Sequence, residues 1–377
     1  MDTEQGKNLV VCLDGTGNQL RVDRNTNVLR LFDMLDYSDA SRQVAYYDPG
    51  VGTFSALGAW TPLGRRVTRL AGLAFGVGLR HNLGEAYQFL MRNWQPGDRL
   101  YLFGFSRGAY AVRALAGLLD AIGMLHPHEE NLVPYAISAY ARKWSTDAQQ
   151  GGSGGTTQKN LADRFRESFA RRLGGSRPAA VRVCYLGLWD TVEASGHLRR
   201  SLRWRGIDDV PNADVARHAI SIDERRWPYE VVPLTTPAET TTPVVREQVW
   251  FPGVHSDVGG TFPDPQPPCR LSDITLKWVV DGGLDAGLRV DAARYATECS
   301  LYREHTEAPI NRNAPLWWPL SFATRPLRDG VVHASARARP QLAGRPTYAD
   351  ERWWVPYGQQ GGATPPAYPG PREENGG

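Results

Sequence analysis

Ser106 lies between two glycines in Gly104–Gly108, and this pentapeptide is the arrangement in the chain that most clearly could do chemistry. A dense apolar run, 100–103, precedes it, and a helix-forming stretch, 109–119, follows, so the pattern predicts a strand, a tight turn and a helix. In such a nucleophile elbow, only glycine fits at the positions two before and two after the serine, and the serine hydroxyl is held out at the strand end. The helix begins at once, so its N-terminal amides point at the reacting centre. We therefore expect Ser106 to be a nucleophile.

A serine hydroxyl attacks well only when a base takes its proton, and that base is usually a histidine oriented by a carboxylate. Where the nucleophile sits on such an elbow, the acid and then the base follow the serine along the chain. Asp190 comes directly after the apolar run 183–189. His255 lies in the glycine-flanked stretch 251–260, just past another apolar run. We predict that Ser106, Asp190 and His255 form a catalytic triad.

Other residues compete for the roles of acid and base. Asp257, two residues after His255, is expected to stabilise the loop and is the alternative acid, while Asp190 could instead cap a turn. His333, in the run Val-His-Ala-Ser, is the strongest rival base. Four further histidines are less suited, because they follow the elbow helix closely or lie in charged, loop-like surroundings: His126, His128, His197 and His218.

The tetrahedral intermediate of acyl transfer needs two backbone amides that bind its oxyanion. One is expected from Arg107, the residue after the nucleophile, and the other from Gly15 or Thr16 in the glycine-rich turn 14–18 that follows the first predicted strand. The alternatives are an ordinary turn or a phosphate cradle. The Walker pattern with its lysine is absent from the sequence, which makes a nucleotide site the weaker interpretation.

Apolar strand patterns alternate with helical patterns along the chain. Strands are predicted at 7–13, 43–47, 100–103, 181–189 and 248–251, and helices at 27–35, 79–94, 109–119 and 271–284. This alternation predicts an α/β fold of the α/β-hydrolase type, a doubly wound and mostly parallel sheet with helices on both faces, plus a C-terminal extension. We expect a single domain over 1–350, a flexible insertion at about 145–160, and a disordered tail at 358–377. Sites in such sheets form at the carboxyl ends of strands, where the polar clusters occur.

Composition narrows the classes of function. The chain has 377 residues, 41% of them hydrophobic, and a formal net charge of +3, which does not suggest nucleic-acid binding. Its four cysteines form no CxxC pair, so we expect buried thiols and neither a metal nor another cofactor. No secretory signal peptide and no membrane-spanning run is recognisable. The protein is therefore expected to be cytoplasmic as synthesised, with export by a dedicated secretion system as one outcome.

Several longer segments together resemble one family. LDGTGN, YYDPGVGT, GLRHNLGEAYQFL, PGDRLYLFGFSRGAYAVRALAGLL, LGLWDTV and WFPGVHSDVGG follow one another in its order. They are similar to the α/β-hydrolase domain family of uncharacterised hydrolases that includes the type VI secretion phospholipase effectors. The resemblance covers roughly 7–290, and VVHASARAR near 331–339 looks like the family's final His-x-Ser motif. Carried over by residue, it places the nucleophile on Ser106, the acid on Asp190 and the base on His255.

The resemblance implies a serine esterase of lipase type that degrades lipid, with phospholipid acyl esters as substrate and phospholipase A activity. Residues 50–78 are apolar and glycine-rich and could form a lid or acyl groove, with Arg65, Arg66 and Arg69 suited to transient contact with an anionic membrane surface. The same stretch could be ordinary core and loop. Alternatives for the whole chain are an esterase of a small non-lipid ester, or a catalytically silent binding protein. The oligomeric state stays open.

Overall fold

The computed structural model describes most of the chain between residues 6 and 336. The described ranges are 6–15, 25–50, 62–141, 161–172, 181–193, 206–235, 244–263, 269–301, 307–313 and 331–336, with residues 178, 204, 305, 317, 321, 325 and 353–354. For 62–77 and 353–354 the description is of the backbone alone.

One parallel sheet organises the described residues. Its strands are β1 (Asn8–Leu13), β2 (Gln43–Asp48), β3 (Arg99–Phe105), β4 (Val183–Trp189), β5 (Ala213–Ser221), β6 (Val245–Phe251), β7 (Val331–His333) and β8 (Trp353–Trp354). They lie in the order β2-β1-β3-β4-β5-β6-β7-β8, and every neighbouring pair is parallel. Successive strands are added on one side of β1 up to β2 and on its other side from β3 onwards, so the strand order reverses between β1 and β3. Ligands of such sheets bind outside the carboxyl ends of the strands at that switch point.

Helices cover both faces of the sheet. They are α1 (Asn27–Met34), α2 (Pro62–Asn93), α3 (Arg107–Ile122), α4 (Val133–Ala141), α5 (Leu161–Phe169), α6 (His255–Gly259), α7 (Leu271–Asp285) and α8 (Ala292–Glu298). Side chains of a strand alternate between faces. Accordingly, Leu9 and Val11 of β1 join a buried cluster with α2, α3 and α4, whereas Val10 and Cys12 join a second cluster with α1 and α7. The predicted doubly wound α/β fold is confirmed.

Several elements were not predicted from the sequence, among them α4, α5, α6, α8, β7 and β8. Two further differences, in α2 and β5, have a clear physical reason. Helix α2 begins at Pro62, seventeen positions before the predicted start at 79, because the glycines of that stretch weaken a helical pattern without preventing a helix. Strand β5 was not predicted, since its sequence ADVARHAIS carries charges that are paired in the fold: Asp214 with Arg182 and Arg217 with Glu247. The loop-like surroundings expected for His218 are therefore wrong, because it is fully buried within β5.

Other expectations meet the structure only in part. Cys12 is buried and Cys184 is half-buried, and both are free thiols. The insertion at 145–160 and the tail at 358–377 lie outside the described residues. Within the described part of the chain, no helix combines the length and the apolar character that crossing a bilayer requires.

Candidate active site

The turn between β3 and α3 holds Ser106 in a backbone conformation that few residues other than glycine adopt, with φ +59° and ψ −123°. The flanking glycines are required by close packing. A Cβ on Gly104 would lie 2.6 Å from the carbonyl of Gly108, and a Cβ on Gly108 would lie 2.1 Å from the carbonyl oxygen of Leu13. The Ser106 amide donates to the carbonyl of Trp189 at 2.9 Å, which ties the turn to the end of β4. The geometry is that of the expected elbow.

Three side chains from three strand ends meet at this turn. The hydroxyl of Ser106 is 2.8 Å from Nε2 of His255, and Nδ1 of His255 is 2.5 Å from Oδ2 of Asp190. All three residues are buried, at 6%, 4% and 0% exposure. The hydrogen bond from Nδ1 to the carboxylate leaves the lone pair of Nε2 facing the serine hydroxyl, which is the arrangement a general base needs.

The carboxylate of Asp190 is surrounded by donors. Its Oδ1 accepts from the Ser221 amide at 3.0 Å and from Nη1 of Arg325 at 2.6 Å, and its Oδ2 accepts from the Ser221 hydroxyl at 3.1 Å as well as from His255. The backbone of Asp190 is held at φ +43°, and its amide donates to Ala219. Burial raises the pKa of Asp190, but the Arg325 guanidinium and the His255 hydrogen bond together hold it well below its ordinary range. The group is therefore a carboxylate.

Aromatic rings and a buried carboxylate position His255. Its ring stacks on Phe105 at 4.7 Å between centroids and meets the edge of Tyr229 at 4.9 Å. Its amide donates to Oε2 of Glu224 at 3.2 Å. Gly259 follows in the same short helix because a side chain there would overlap the Phe105 ring. Burial lowers the pKa of His255 against the opposing effect of its aspartate partner, so the imidazole is neutral and able to accept a proton.

A buried ion pair supports the aromatic wall of the site. Arg226 binds Glu224 through Nε at 2.9 Å and Nη2 at 2.7 Å, and its guanidinium lies 3.7 Å from the ring centroid of Tyr229. Burial raises the pKa of Glu224, but Arg226 outweighs it and holds that pKa below its usual range. The pair therefore fixes Tyr229 against His255. Neither member was predicted, because their sequence spacing, two residues apart in a polar run, carries no catalytic pattern.

The described contacts of Asp257 stabilise the loop that carries His255. Its carboxylate accepts from the amide of Val254 at 3.0 Å and from the side-chain amide of Asn311 at 2.6 Å. Burial raises the pKa of Asp257 to about 6. The carboxylate that contacts the His255 ring is that of Asp190.

The two expected oxyanion donors lie on neighbouring elements. Arg107 is the first residue of α3, so its amide is at the helix N-terminus beside Ser106. Gly15 follows β1, which pairs with β3, and its amide donates to Oδ1 of Asp14 at 2.6 Å. The Asp14 carboxylate is also bound by the hydroxyls of Tyr47 and Thr26. Thr16 lies outside the described residues.

The competing histidines are placed elsewhere. Nδ1 of His333, at the end of β7, is 2.8 Å from the hydroxyl of Ser335. Nε2 of His218 accepts from the Thr191 amide at 3.1 Å, and burial lowers the pKa of His218 to about 3. His126 and His128 are exposed and stack on each other, and His197 lies outside the described residues. Across the described ranges, His, Cys, Asp and Glu side chains do not gather into a set of three or more able to hold a metal ion.

A parallel doubly wound sheet with a serine elbow, and with an acid and a histidine at later strand ends, places the chain in the class of α/β-hydrolase folds. The chain belongs to the family described as "T6SS, Phospholipase effector Tle1-like, catalytic domain", whose model matches residues 7–282. That match ends shortly before the 290 expected from the motifs, and 331–339 lies beyond it.

The individual relatives are longer than this chain, and each is matched over only part of its length. Uncharacterized protein YEL023C of Saccharomyces cerevisiae is 35% identical over 238 residues, which are 60% of this chain and 33% of that protein, so the chain spans about a third of this curated relative. An uncharacterized protein from Pseudomonas aeruginosa superimposes with a TM-score of 0.40 at 18% identity, over 80% of this chain and 49% of that one. The Tle1 effector bound to the VgrG spike of the type VI secretion system gives 0.30 at 18% identity, over 70% and 53%.

Proposed function

We propose that the protein is a serine hydrolase that cleaves carboxylic esters, and that its substrates are the acyl esters of phospholipids. The observation that carries the proposal is the continuous hydrogen-bonded series from the Ser106 hydroxyl through His255 to Asp190. A buried, neutral imidazole between a hydroxyl and a carboxylate is the apparatus of nucleophilic acyl transfer.

The reaction follows from the contacts. The Ser106 oxygen attacks the ester carbonyl carbon while Nε2 of His255 takes the hydroxyl proton, and Asp190 stabilises the resulting imidazolium. The carbonyl oxygen becomes an oxyanion, which the Arg107 amide binds. The second donor is proposed from the Gly15–Thr16 turn, where the Gly15 amide would have to leave the Asp14 carboxylate that it binds in this structure. The intermediate expels the alcohol as His255 returns the proton to it, which leaves an acyl-serine. Water, deprotonated by the same histidine, then attacks the acyl group and releases a carboxylic acid and the free serine.

The lipid part of the proposal is supported by membership in a family described as phospholipase effectors. The apolar stretch expected to contact acyl chains, 50–78, is described only as the helical backbone of α2 from residue 62, with side chains described from residue 78. A phospholipase A specificity and a transient membrane contact remain part of the proposal. Export by a type VI system is also proposed, from the family description alone.

A fluorophosphonate probe tests the nucleophile directly. Wild-type protein is expected to be labelled at Ser106, and Ser106→Ala is expected to lose the label. Ser335→Ala is a matched control, because Ser335 is also a buried serine with its hydroxyl on a histidine, and it should keep full labelling. A folded wild-type protein that takes no label would favour the catalytically silent binding protein.

The substrate class is then separated by assaying wild type and Ser106→Ala on two kinds of ester. Vesicles of phosphatidylethanolamine and phosphatidylglycerol, followed by mass spectrometry, should release fatty acid and lysophospholipid only with wild type. Turnover of a soluble p-nitrophenyl ester, with none on vesicles, would instead indicate an esterase of small substrates. The lysophospholipid isomer reports which acyl position is cut.

A further inference from the structure

A segment beyond the family-matched residues contacts the supports of the candidate triad at several points. We name it the C-terminal strap and define it by Asn311, Asn313, Trp317 and Arg325. All four residues follow position 282, where the family match ends. Asn311 binds Asp257, which holds the loop of His255, and Asn313 binds Glu224, which accepts from the His255 amide. Trp317 packs on Tyr229, whose ring lies against the imidazole, and Arg325 binds the acid, Asp190.

Arg325 makes the most consequential of these contacts. Its side chain is 5% exposed, and its Nη1 lies 2.6 Å from Oδ1 of Asp190 and 2.6 Å from the hydroxyl of Ser221, which itself binds Oδ2 of Asp190. Nη1 also reaches the carbonyl of Ser221 at 3.1 Å, and Nη2 binds the carbonyl of Tyr229. One guanidinium thus joins the acid, the end of β5 and the backbone of the residue whose ring meets His255.

We propose that Arg325 is a positioning residue of the hydrolytic site, supplied by the C-terminal strap, which holds Asp190 so that Oδ2 faces Nδ1 of His255. The inference depends on the proposed function for its catalytic meaning, although the geometry can be tested without turnover. With Oδ1 occupied by Arg325 and the Ser221 amide, the carboxylate has Oδ2 left for the imidazole. A planar guanidinium suits this task because its donors have a fixed geometry, which an ammonium group lacks.

The charges around the pair determine which way its titration should move. Groups that act on Asp190 or His255 come from the loop after β5, from β5 itself and from the strap: Glu224, Arg226, His218 and Arg325. Tyr229 packs on the imidazole as a neutral ring. Removing the positive charge of Arg325 leaves Asp190 without its largest electrostatic support, so protons should bind the aspartate–histidine pair more tightly. The pKa of His255 should therefore rise.

The test compares Arg325→Gln with Arg312→Met, an exposed arginine of the same segment. In Arg325→Gln, kcat/KM at its optimum should fall by about 10- to 100-fold, and its acidic limb should move up by about half a pH unit or more. Arg325→Lys keeps the charge but loses the fork, so its acidic limb should return to the wild-type position while kcat/KM stays several-fold low. Arg312→Met should match wild type in both quantities.

A measurement without substrate separates this proposal from the proposed function. The pKa of His255, followed by NMR and assigned by comparison with His255→Asn, should rise in Arg325→Gln even if the protein hydrolyses no ester. A His255 pKa and an acidic limb that stay unchanged in folded Arg325→Gln would overturn the positioning role. Should Arg325→Gln fail to fold, Arg325→Lys decides, because wild-type kcat/KM in that variant would show that the fork is not needed.

Discussion

Two histidines at the carboxyl ends of neighbouring strands have similar ring stacking and a pKa shifted in the same direction, but their hydrogen-bond partners differ. His255 follows β6 and His333 ends β7. Each imidazole stacks on a phenylalanine with 4.7 Å between ring centroids, His255 on Phe105 and His333 on Phe251. Burial lowers the pKa of both, in the case of His333 to about 4. Burial and stacking therefore do not distinguish a candidate base from a structural histidine.

The difference lies in what each ring nitrogen does. Nδ1 of His255 donates to Asp190, so its Nε2 is free to accept the proton of Ser106. Nδ1 of His333 instead accepts from the backbone amide of Ser335 at 3.2 Å, so the two rings are opposite tautomers. A carboxylate beside Nδ1 also stabilises the imidazolium that forms during attack, which the hydroxyl of Ser335 does only weakly. The comparison indicates that the group bound to Nδ1, more than the burial or stacking of the ring, determines whether a histidine is suited to act as a base.

The largest effect should come from exchanging the two rings for alanine. His255→Ala is expected to lower kcat/KM by about 10³-fold or more, because no other described group is placed to take the Ser106 proton. His333→Ala should stay within about threefold of wild type. Ester hydrolysis and fluorophosphonate labelling rate measure both. The reverse ranking would transfer the role of base to His333.

A slightly smaller effect should follow from changing the acid while both rings stay. Asp190→Asn removes the charge and can present Nδ1 with the wrong hydrogen-bonding partner, so kcat/KM should fall by about 10²- to 10⁴-fold. Asp257→Asn tests the alternative acid and should cost less than about tenfold, since Asp257 contacts Val254 and Asn311 and not the imidazole. If the two variants were equally impaired, Asp190 would not be the acid that orients the ring.

The pH profile should sharpen the comparison further. Catalysis needs neutral His255, and burial lowers its pKa, so kcat/KM should fall only below about pH 6.5 as the imidazole becomes protonated. Asp190 adds no limb near neutrality, because Arg325 and His255 hold its pKa low. The measurement uses a non-ionising ester between pH 4.5 and 8, with His333→Ala as the control expected to show the same limb. An acidic limb centred at pH 7 or above would contradict a buried neutral base.

Sequence reasoning reached the parts of the site that local sterics dictate. Gly104 and Gly108 have no space for a side chain, so the motif around Ser106 carries its own geometric signature. Asp190 and His255 were predictable because strand ends meet at one edge of a parallel sheet, although their roles stay predictions until variants are assayed. In each case the informative pattern lies within a few residues of the functional side chain.

Contacts between distant segments left no such pattern. Arg325 is 135 positions from Asp190, and an isolated arginine after a proline-rich stretch resembles any other. Glu224 and Arg226 resemble a solvated polar run until β5 ends beside them and buries both. His218 appeared loop-like because the charges around it in the sequence are paired only after folding. These residues support the site through contacts between segments that are far apart in the chain, and a single sequence does not show such contacts.

The smallest expected effect concerns His333 and the stability of the fold. Its folded-state pKa of about 4 lies below the unfolded value of about 6.5, so the unfolded chain binds an extra proton between these pH values. Stability should therefore fall as the pH drops from 6.5 towards 4, and His333→Gln should remove this part of the loss. Between pH 7 and pH 5, the free energy of urea unfolding of His333→Gln should fall by about 2 kcal/mol less than that of wild type. His126→Gln, at an exposed site, should lose as much as wild type. Equal losses for His333→Gln and wild type would mean that His333 titrates alike in the folded and unfolded states. The likeness between buried His255 and half-buried His333 would then end at their stacking.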